Sequence, residues 1–590
     1  MRNMRALRLA LLGAAMAGTA QAEEPASALQ LTDPAYLARH VCGPIPKRRT
    51  ELYKPGVQLM AAAAVGRAEA ADPPPLYENM GALRQPVSTR SAKAQRYFDQ
   101  GLRFAYAFNH AEARRAFRQA QALDPSCAMC YWGEAYVLGP NINQPMPEET
   151  VAPAFAAIAQ ALALKDGASP RERALIEALA KRYAADPKAE RKALDEAYAD
   201  AMGEVAARFP ADDEIQVLFA DALMNLQPWD YWAADRRTPK GRTAEQVAAL
   251  EKVLQRNPGH PGAIHFYIHT VEASTTPERA EAHADRLGSL MPAAGHLVHM
   301  PAHIYYRIGR YRDSLAVNLA AAKADEALLA RSPEAGLYRY GYYPHNVHFV
   351  LVSALMAGDG AEAIAAAEKL HGVMSDEMAA KVGWIQAIKT APYLAHAQFG
   401  SLDEVLSLPD PGDRFPFVQG ARRYARGVAY VRAGDLAAAA KERQELEALA
   451  ANGDLASLVA AQVPALEVLT IARLVLDGQI ARARGDHATA QAALAEAVRL
   501  QDSLPYMEPP YWYYPVRQSL AASLLESGKA AEAASTFTAA LMDAPSNAFA
   551  LYGLMLAQRA MGDEAGSAAT AGRFAKAWAG GEATPALRDL

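Results

Sequence analysis

Residues 94–127 read AQRYFDQGLRFAYAFNHAEARRAFRQAQALDPSC, two apolar helical segments on either side of the turn FNHAEA and closed by Pro125. The next stretch starts again at Ala128, which puts 34 residues between equivalent points. Comparable turns recur as TTPERAEA, IGRYRDSL, MAGDGAEAI, FGSLDEVL, RAGDLAAA, ARGDHATA and ESGKAAEAA, each flanked by apolar helical segments. Unit starts fall at 94 and 128, 261 and 295, 386 and 420, and 514 and 548, and each pair is 34 residues apart. Small residues (Gly101, Ala135, Ala302, Gly427, Ala521) stand where two helices must approach, and Pro125, Pro210, Pro258, Pro292 and Pro545 close several units. This combination is the tetratricopeptide period. Further starts near 170, 213, 344 and 471, at looser spacing, bring the total to about twelve. The sequence therefore predicts an all-α tetratricopeptide superhelix, a solenoid whose units bury their apolar faces on their neighbours.

A chain of 590 residues with 51% hydrophobic content buries a large interior in this way without separate globular domains. The expected organisation is a signal peptide (1–22), a proline- and alanine-rich lead-in (23–92), units preceding the histidines (93–260), central histidine-bearing units (261–372) and C-terminal units (373–575). In the leader, MRNMRALR is basic, LALLGAAMAGTA is a 12-residue apolar run, and Ala20-Gln21-Ala22 gives the small-x-small pattern that places cleavage before Glu23. The mature chain is thus expected in the periplasm or outside the cell, without a transmembrane segment. A net charge of −5, with no basic stripe and no nucleic-acid-binding motif, argues against nucleic acid as a partner. No GxSxG, P-loop or HExxH motif occurs, which leaves serine hydrolysis, nucleotide-dependent chemistry and zincin-type proteolysis without support.

Of the three cysteines, Cys127 and Cys130 form the motif CAMC, read as a local disulfide at the start of the second unit, with Cys42 either the odd thiol or a partner for one of them. Metal ligation by the pair is the alternative. Tyr131 follows where covalent haem attachment requires histidine, so haem is not expected.

The segments YFDQGLRFAYAFNHAEARRAF, CAMCYWGEAYVLGPNIN, HMPAHIYYRIGRY and MEPPYWYYPVRQSLAASLL resemble a family of exported bacterial tetratricopeptide proteins, over a span from Leu76 to Gly562. The resemblance implies the fold and export, and it assigns no activity to any residue. Tetratricopeptide proteins bind peptides or protein segments along a concave groove, lined by positions 2, 5, 9 and 12 of each unit, so a protein or peptide partner is expected there.

In that register the groove of three consecutive units carries histidine. The unit starting at 261 places His265, His269 and Glu272 at positions 5, 9 and 12; the unit at 295 places His296, His299 and His303 at 2, 5 and 9; the unit at 344 places His345 and His348 at 2 and 5. Side chains at i, i+3 and i+4 share a helix face, and adjacent helices pack about 8–10 Å apart, so these imidazoles are expected to converge. Pro261 and Pro344 fit the first position of their helices, whereas Pro301, at position 7, predicts a kink or a late start. Imidazole ligates zinc, copper, iron or nickel, and the i, i+4 pair His265 and His269 has the spacing by which one helix offers two ligands. A transition-metal site on a binding scaffold is the leading reading; a peptide groove with incidental histidines and a pH-responsive surface are the alternatives. The chain is read as a scaffold rather than an enzyme. Were it an enzyme, a metal activating water or dioxygen, with Glu272 or Asp221 as acid or base, is the mechanism to examine. Glu214 and Asp221 of the unit near 213 are placed to flank the histidines. Trp132, Tyr136 and Tyr306 fall on groove positions, with PWDYW (228–232) nearby; aromatics at helical spacing are more often core, and a pocket for an organic ligand is the alternative. His110, His260, His283, His371, His396 and His487 are read as packed or solvated, and Asn141 and Asn143 as loop organisers.

Overall fold

The computed structural model describes residues 73–332 and 336–590. The chain divides into Met1–Gly43 and Pro44–Leu590, and every described residue belongs to the second body. The expected signal peptide, Cys42 and the lead-in through residue 72 lie outside the described residues.

Twelve helix-turn-helix units follow one another among the described residues. Their first helices begin at Ala92, Ala128, Pro170, Asp213, Pro261, Gly295, Tyr343, Gly383, Pro416, Ala465, Val516 and Ala548. These match the starts read from the sequence, the widest difference being 471 against Ala465. The fold is the all-α tetratricopeptide type. No strand occurs among the described residues; two isolated bridges, Asn141 with Gln144 and Trp232 with Pro239, sit in the loops that lengthen units 2 and 4.

Local chemistry sets the helix ends. Ser91 Oγ accepts the Ala94 N–H at 3.1 Å and Asn109 Oδ1 the Glu112 N–H at 3.3 Å, opening the two helices of unit 1. Ser169 with Glu172 and Ser401 with Glu404 form capping boxes. Close helix approach accounts for the small residues of the motif. A Cβ on Gly101 or Gly133 would sit 2.7 or 2.5 Å from the Phe117 ring, which the two glycines flank. Pro301 breaks the first helix of unit 6 into Gly295–His299 and Pro301–Arg307, as its position in the sequence predicts. Residues 73–91 of the lead-in pack on the array: Tyr97 Oη donates to the Pro74 carbonyl at 2.9 Å, and the Ser88 N–H donates to Glu172 at 2.6 Å.

Cys127 and Cys130 are joined in a disulfide at the N-terminus of Ala128–Leu138. Both sulfurs are thereby used, and the metal-binding alternative for this pair falls away.

Distant parts of the same chain fill the first-helix face of the central units, so that face is not the open groove the repeat predicts. The Tyr106 ring of unit 1 packs 5.7 Å from Phe266 of unit 5, and a Cβ on Gly262 would lie 2.7 Å from that ring. Ser332 donates to Glu112 at 2.7 Å, and Asn143 Nδ2 donates to Tyr342 Oη at 3.1 Å. The connection 504–515, LPYMEPPYWYYP, runs inward from between units 10 and 11 and brings Glu508 and Tyr513 to units 6 and 7. Aromatic residues on both sides gain about 25 cal/mol for each Å² removed from water, which favours this closure over a solvated groove. Trp132 and Tyr136 form no open pocket. They are 2% and 8% exposed and stack with ring centres 5.3 Å apart, Trp132 Nε1 donating to the Leu175 carbonyl. No helix among the described residues is long and apolar enough to cross a membrane.

Candidate metal centre

His265 and His269 share one face of Pro261–Val271, and His299 and His303 lie across the break at Met300. His345 and His348 come from Tyr343–Ala357. All are buried except His345, which is partly exposed.

Four of the rings are anchored through Nδ1. His265 Nδ1–H donates to the Tyr106 carbonyl at 2.7 Å and His269 Nδ1–H to Glu272 Oε1 at 3.2 Å. His299 Nδ1–H donates to Asn318 Oδ1 at 2.6 Å; the Asn318 amide nitrogen is committed to the Ser314 carbonyl, so its oxygen faces the ring. His303 Nδ1–H donates to Glu508 Oε2 at 3.0 Å, and the same nitrogen lies 2.8 Å from Glu272 Oε2 as an ion pair. These acceptors fix the tautomer and leave Nε2 as the nitrogen available inward.

The inward nitrogens converge. His265 Nε2 lies 3.2 Å from His296 Nε2, and His299 Nε2 lies 3.0 Å from His303 Nε2. In each of two groups, His265 with His269 and His296 and His299 with His303 and His345, the potential ligand atoms lie within 4.8 Å of one another. A third group at the same spacing joins Glu272, His303 and Glu508. His269 Nε2 and His296 Nδ1 are buried without a protein partner. Aromatic rings wall the centre: Phe108 packs 4.5 Å from His265 and 5.5 Å from His296, Trp229 4.9 Å from His269, and Phe349 4.8 Å from both His299 and His303.

Burial holds His265, His296, His299 and His345 well below the ordinary imidazole value, and neighbouring rings push each down further. Burial alone lowers His348 to about 3. His303 runs the other way. Burial works against its charge, but the Glu272 and Glu508 carboxylates outweigh it and raise the ring to about 10. Glu272, which burial would raise, is held at about 2 by His303 and His269. At neutral pH the centre is therefore a set of neutral imidazoles around one imidazolium, and its two buried carboxylates sit behind the rings.

Not every residue expected here takes part. His348 turns aside and bonds Tyr513 Oη at 2.7 Å through Nε2. Asp221 accepts from Tyr136 Oη at 2.9 Å and from Asn225, so it is a partner in the core and not a flank of the histidines. Glu214 accepts from Tyr106 Oη and lies 3.5 Å from His260 Nε2. Tyr306 does line a cavity of about 240 Å³, together with Arg307, Tyr506 and Glu508, but Trp132 and Tyr136 are elsewhere. Among the described residues, none of the six histidines read as packed or solvated joins a ligand group. Glu508, Asn318, Phe108 and the Tyr106 carbonyl escaped sequence reasoning. Glu508 alone carried a signal, as the one carboxylate in the segment 504–515.

No protein-family model matches the chain, and a comparison with curated proteins found no match. Among solved structures it is similar to a human IFIT1 dimer with m7Gppp-AAAA, at 11% identity over 83% of this chain and 90% of that one, with a TM-score of 0.28. It is similar to the P58(IPK) TPR domain at 13% identity over 80% and 99%, TM-score 0.21, and to yeast Tom70 at 12% identity over 82% and 92%, TM-score 0.25. The fold assignment rests on the chain's own twelve helical pairs.

Proposed function

We propose that this chain is an exported tetratricopeptide metalloprotein that holds a transition metal at the buried centre of units 5 to 7. The observation that carries this reading is the convergence of six imidazoles into two groups whose ligand atoms lie within 4.8 Å of one another, with His269 Nε2 buried and without a protein partner; the gap between His299 and His303 fits the same reading. Both rings donate through Nδ1, so two Nε2 lone pairs face each other at 3.0 Å unless a cation lies between them. In the metal-free protein that cation is the extra proton of His303. A metal with bonds of about 2.0–2.1 Å to nitrogen sets neighbouring ligand atoms about 2.9–3.4 Å apart, so the same gap suits it. Rings anchored by carboxylate, amide and carbonyl acceptors are the usual outer support of metal-bound histidine. The donors are imidazole nitrogens, which favours zinc, copper, iron or nickel over calcium or magnesium.

Metal handling or a scaffold role stabilised by metal suits this geometry better than peptide capture on the central face, where the chain's own segments already lie. Export rests on the leader MRNMRALRLALLGAAMAGTAQA, and the Cys127–Cys130 bridge fits an oxidising compartment.

Elemental analysis of untagged protein from its native host is expected to find one of the four metals in stoichiometric amount. Returning metal to the stripped protein at about 100 times its dissociation constant adds roughly 2.7 kcal/mol of stability. The pair His269→Asn and His303→Asn should remove that metal. No binding after exposure to zinc, copper, iron and nickel would defeat the proposal. A separate expectation is that the mature N-terminus is Glu23; Met1 retained on cytoplasmic protein would contradict export.

A further inference from the structure

The six central imidazoles form two sets. His265, His269 and His296 make one set and His299, His303 and His345 the other. Ligands of one ion with bonds of about 2.0–2.1 Å lie at most about 4.2 Å apart, so each set, spread over no more than 4.8 Å, needs only a small contraction to become one coordination shell. Among the described residues, no group of ligand atoms at that spacing draws on both sets. A single ion therefore cannot gather all six nitrogens.

The sets nevertheless touch. The rings of His269 and His303 are 5.6 Å apart and those of His296 and His299 5.9 Å, no farther than the 6.3 Å between His269 and His296 within the first set. Glu272 links them, one oxygen on His269 and the other on His303. A hydrogen-bonded histidine pair accounts for the 3.2 and 3.0 Å contacts but leaves His269 Nε2, buried beside Trp229, with no partner. An ion in each set uses that nitrogen as well.

We propose, resting on the metal reading of this centre, that the interior holds a pair of transition-metal ions. One sits on His265, His269 and His296 and the other on His299, His303 and His345, with Glu272 fixing one ring of each set. Two divalent ions bring four positive charges, and Glu272 and Glu508 supply two negative ones. That leaves two positive charges over, and a small anion of the hydroxide class bound at the ions offsets one of them. A cavity of about 240 Å³ lined by Glu508 lies behind His303, whose Nδ1 contacts that carboxylate.

The test is titration of chelator-stripped protein with cobalt(II), followed by absorption and electron paramagnetic resonance, and with zinc, followed by elemental analysis. The expected end point is two ions per chain. The cobalt signal that grows with the first equivalent should weaken with the second as neighbouring spins couple. His296→Asn and His345→Asn should each retain one ion and lose the coupling. An end point of one, with one variant empty and the other unchanged, overturns the pair but leaves the metal reading standing. No binding at all overturns both. If a variant fails to fold, the wild-type end point decides alone, two supporting the pair and one overturning it.

Discussion

The metal-free protein is expected to lose its central units sharply as pH falls from about 7 to about 5.5. Burial holds His265, His296, His299 and His348 far below the ordinary value of 6.5, so in the folded chain they stay neutral. Once unfolded, the same rings take up protons below 6.5. Each then favours the unfolded state by about 1.4 kcal/mol one pH unit lower, and four together by about 6 kcal/mol. That is comparable with the whole stability of a typical domain, about 5–15 kcal/mol. His303 has the opposite sign: its raised value, about 10, gives stability that is full below 6.5 and fades as pH rises toward 10. Stability of the stripped protein should therefore peak near neutrality. Thermal melts by circular dichroism at pH 7.5 and 5.5, in chelator, check this. Equal melting temperatures would mean that the imidazoles are not held neutral by burial.

That burial is what the sequence could not convey. The repeat was legible because its determinants are local. FNHAEA and its equivalents fix each turn, Gly101 and Gly133 admit Phe117, and Pro301 breaks its helix wherever the array bends. The register placed His265, His269, His296, His299, His303 and His345 on one face, and they do converge. What no periodicity encodes is which remote segment covers that face. Tyr106 and Phe108 come from unit 1 and Glu508 from the connection between units 10 and 11, and the contact of Glu508 with His303 spans 205 residues. For the same reason His348, equivalent by position to a groove residue, ends in the core, where Tyr513 reaches it first, whereas Trp132 is covered by Leu175 of the next unit. A groove position in the repeat marks which side a residue faces, and exposure depends on the rest of the chain.

The dependence of the centre on Glu272 comes from the same closure. Glu272→Ala is expected to destabilise the metal-free protein by about 3–5 kcal/mol, the usual cost of removing one partner from a buried ion pair. The carboxylate is 1% exposed and each of its oxygens holds a different imidazole, so alanine leaves His269 Nδ1–H unpaired and His303 with Glu508 alone. Metal affinity should fall by about 10–100-fold, since the two rings lose the support that aims Nε2 inward. Glu272→Gln keeps the volume and one acceptor but turns an amide N–H₂ toward the other ring's donor, so its loss should be smaller than that of alanine. Glu278→Ala, on the exposed turn of the same unit, should stay within about 0.5 kcal/mol. Urea unfolding of the stripped proteins, followed by circular dichroism, separates these cases. If Glu272→Ala unfolds within 1 kcal/mol of the parent, by the about 1.4 kcal/mol per tenfold scale, the carboxylate is not what joins the two halves of the centre.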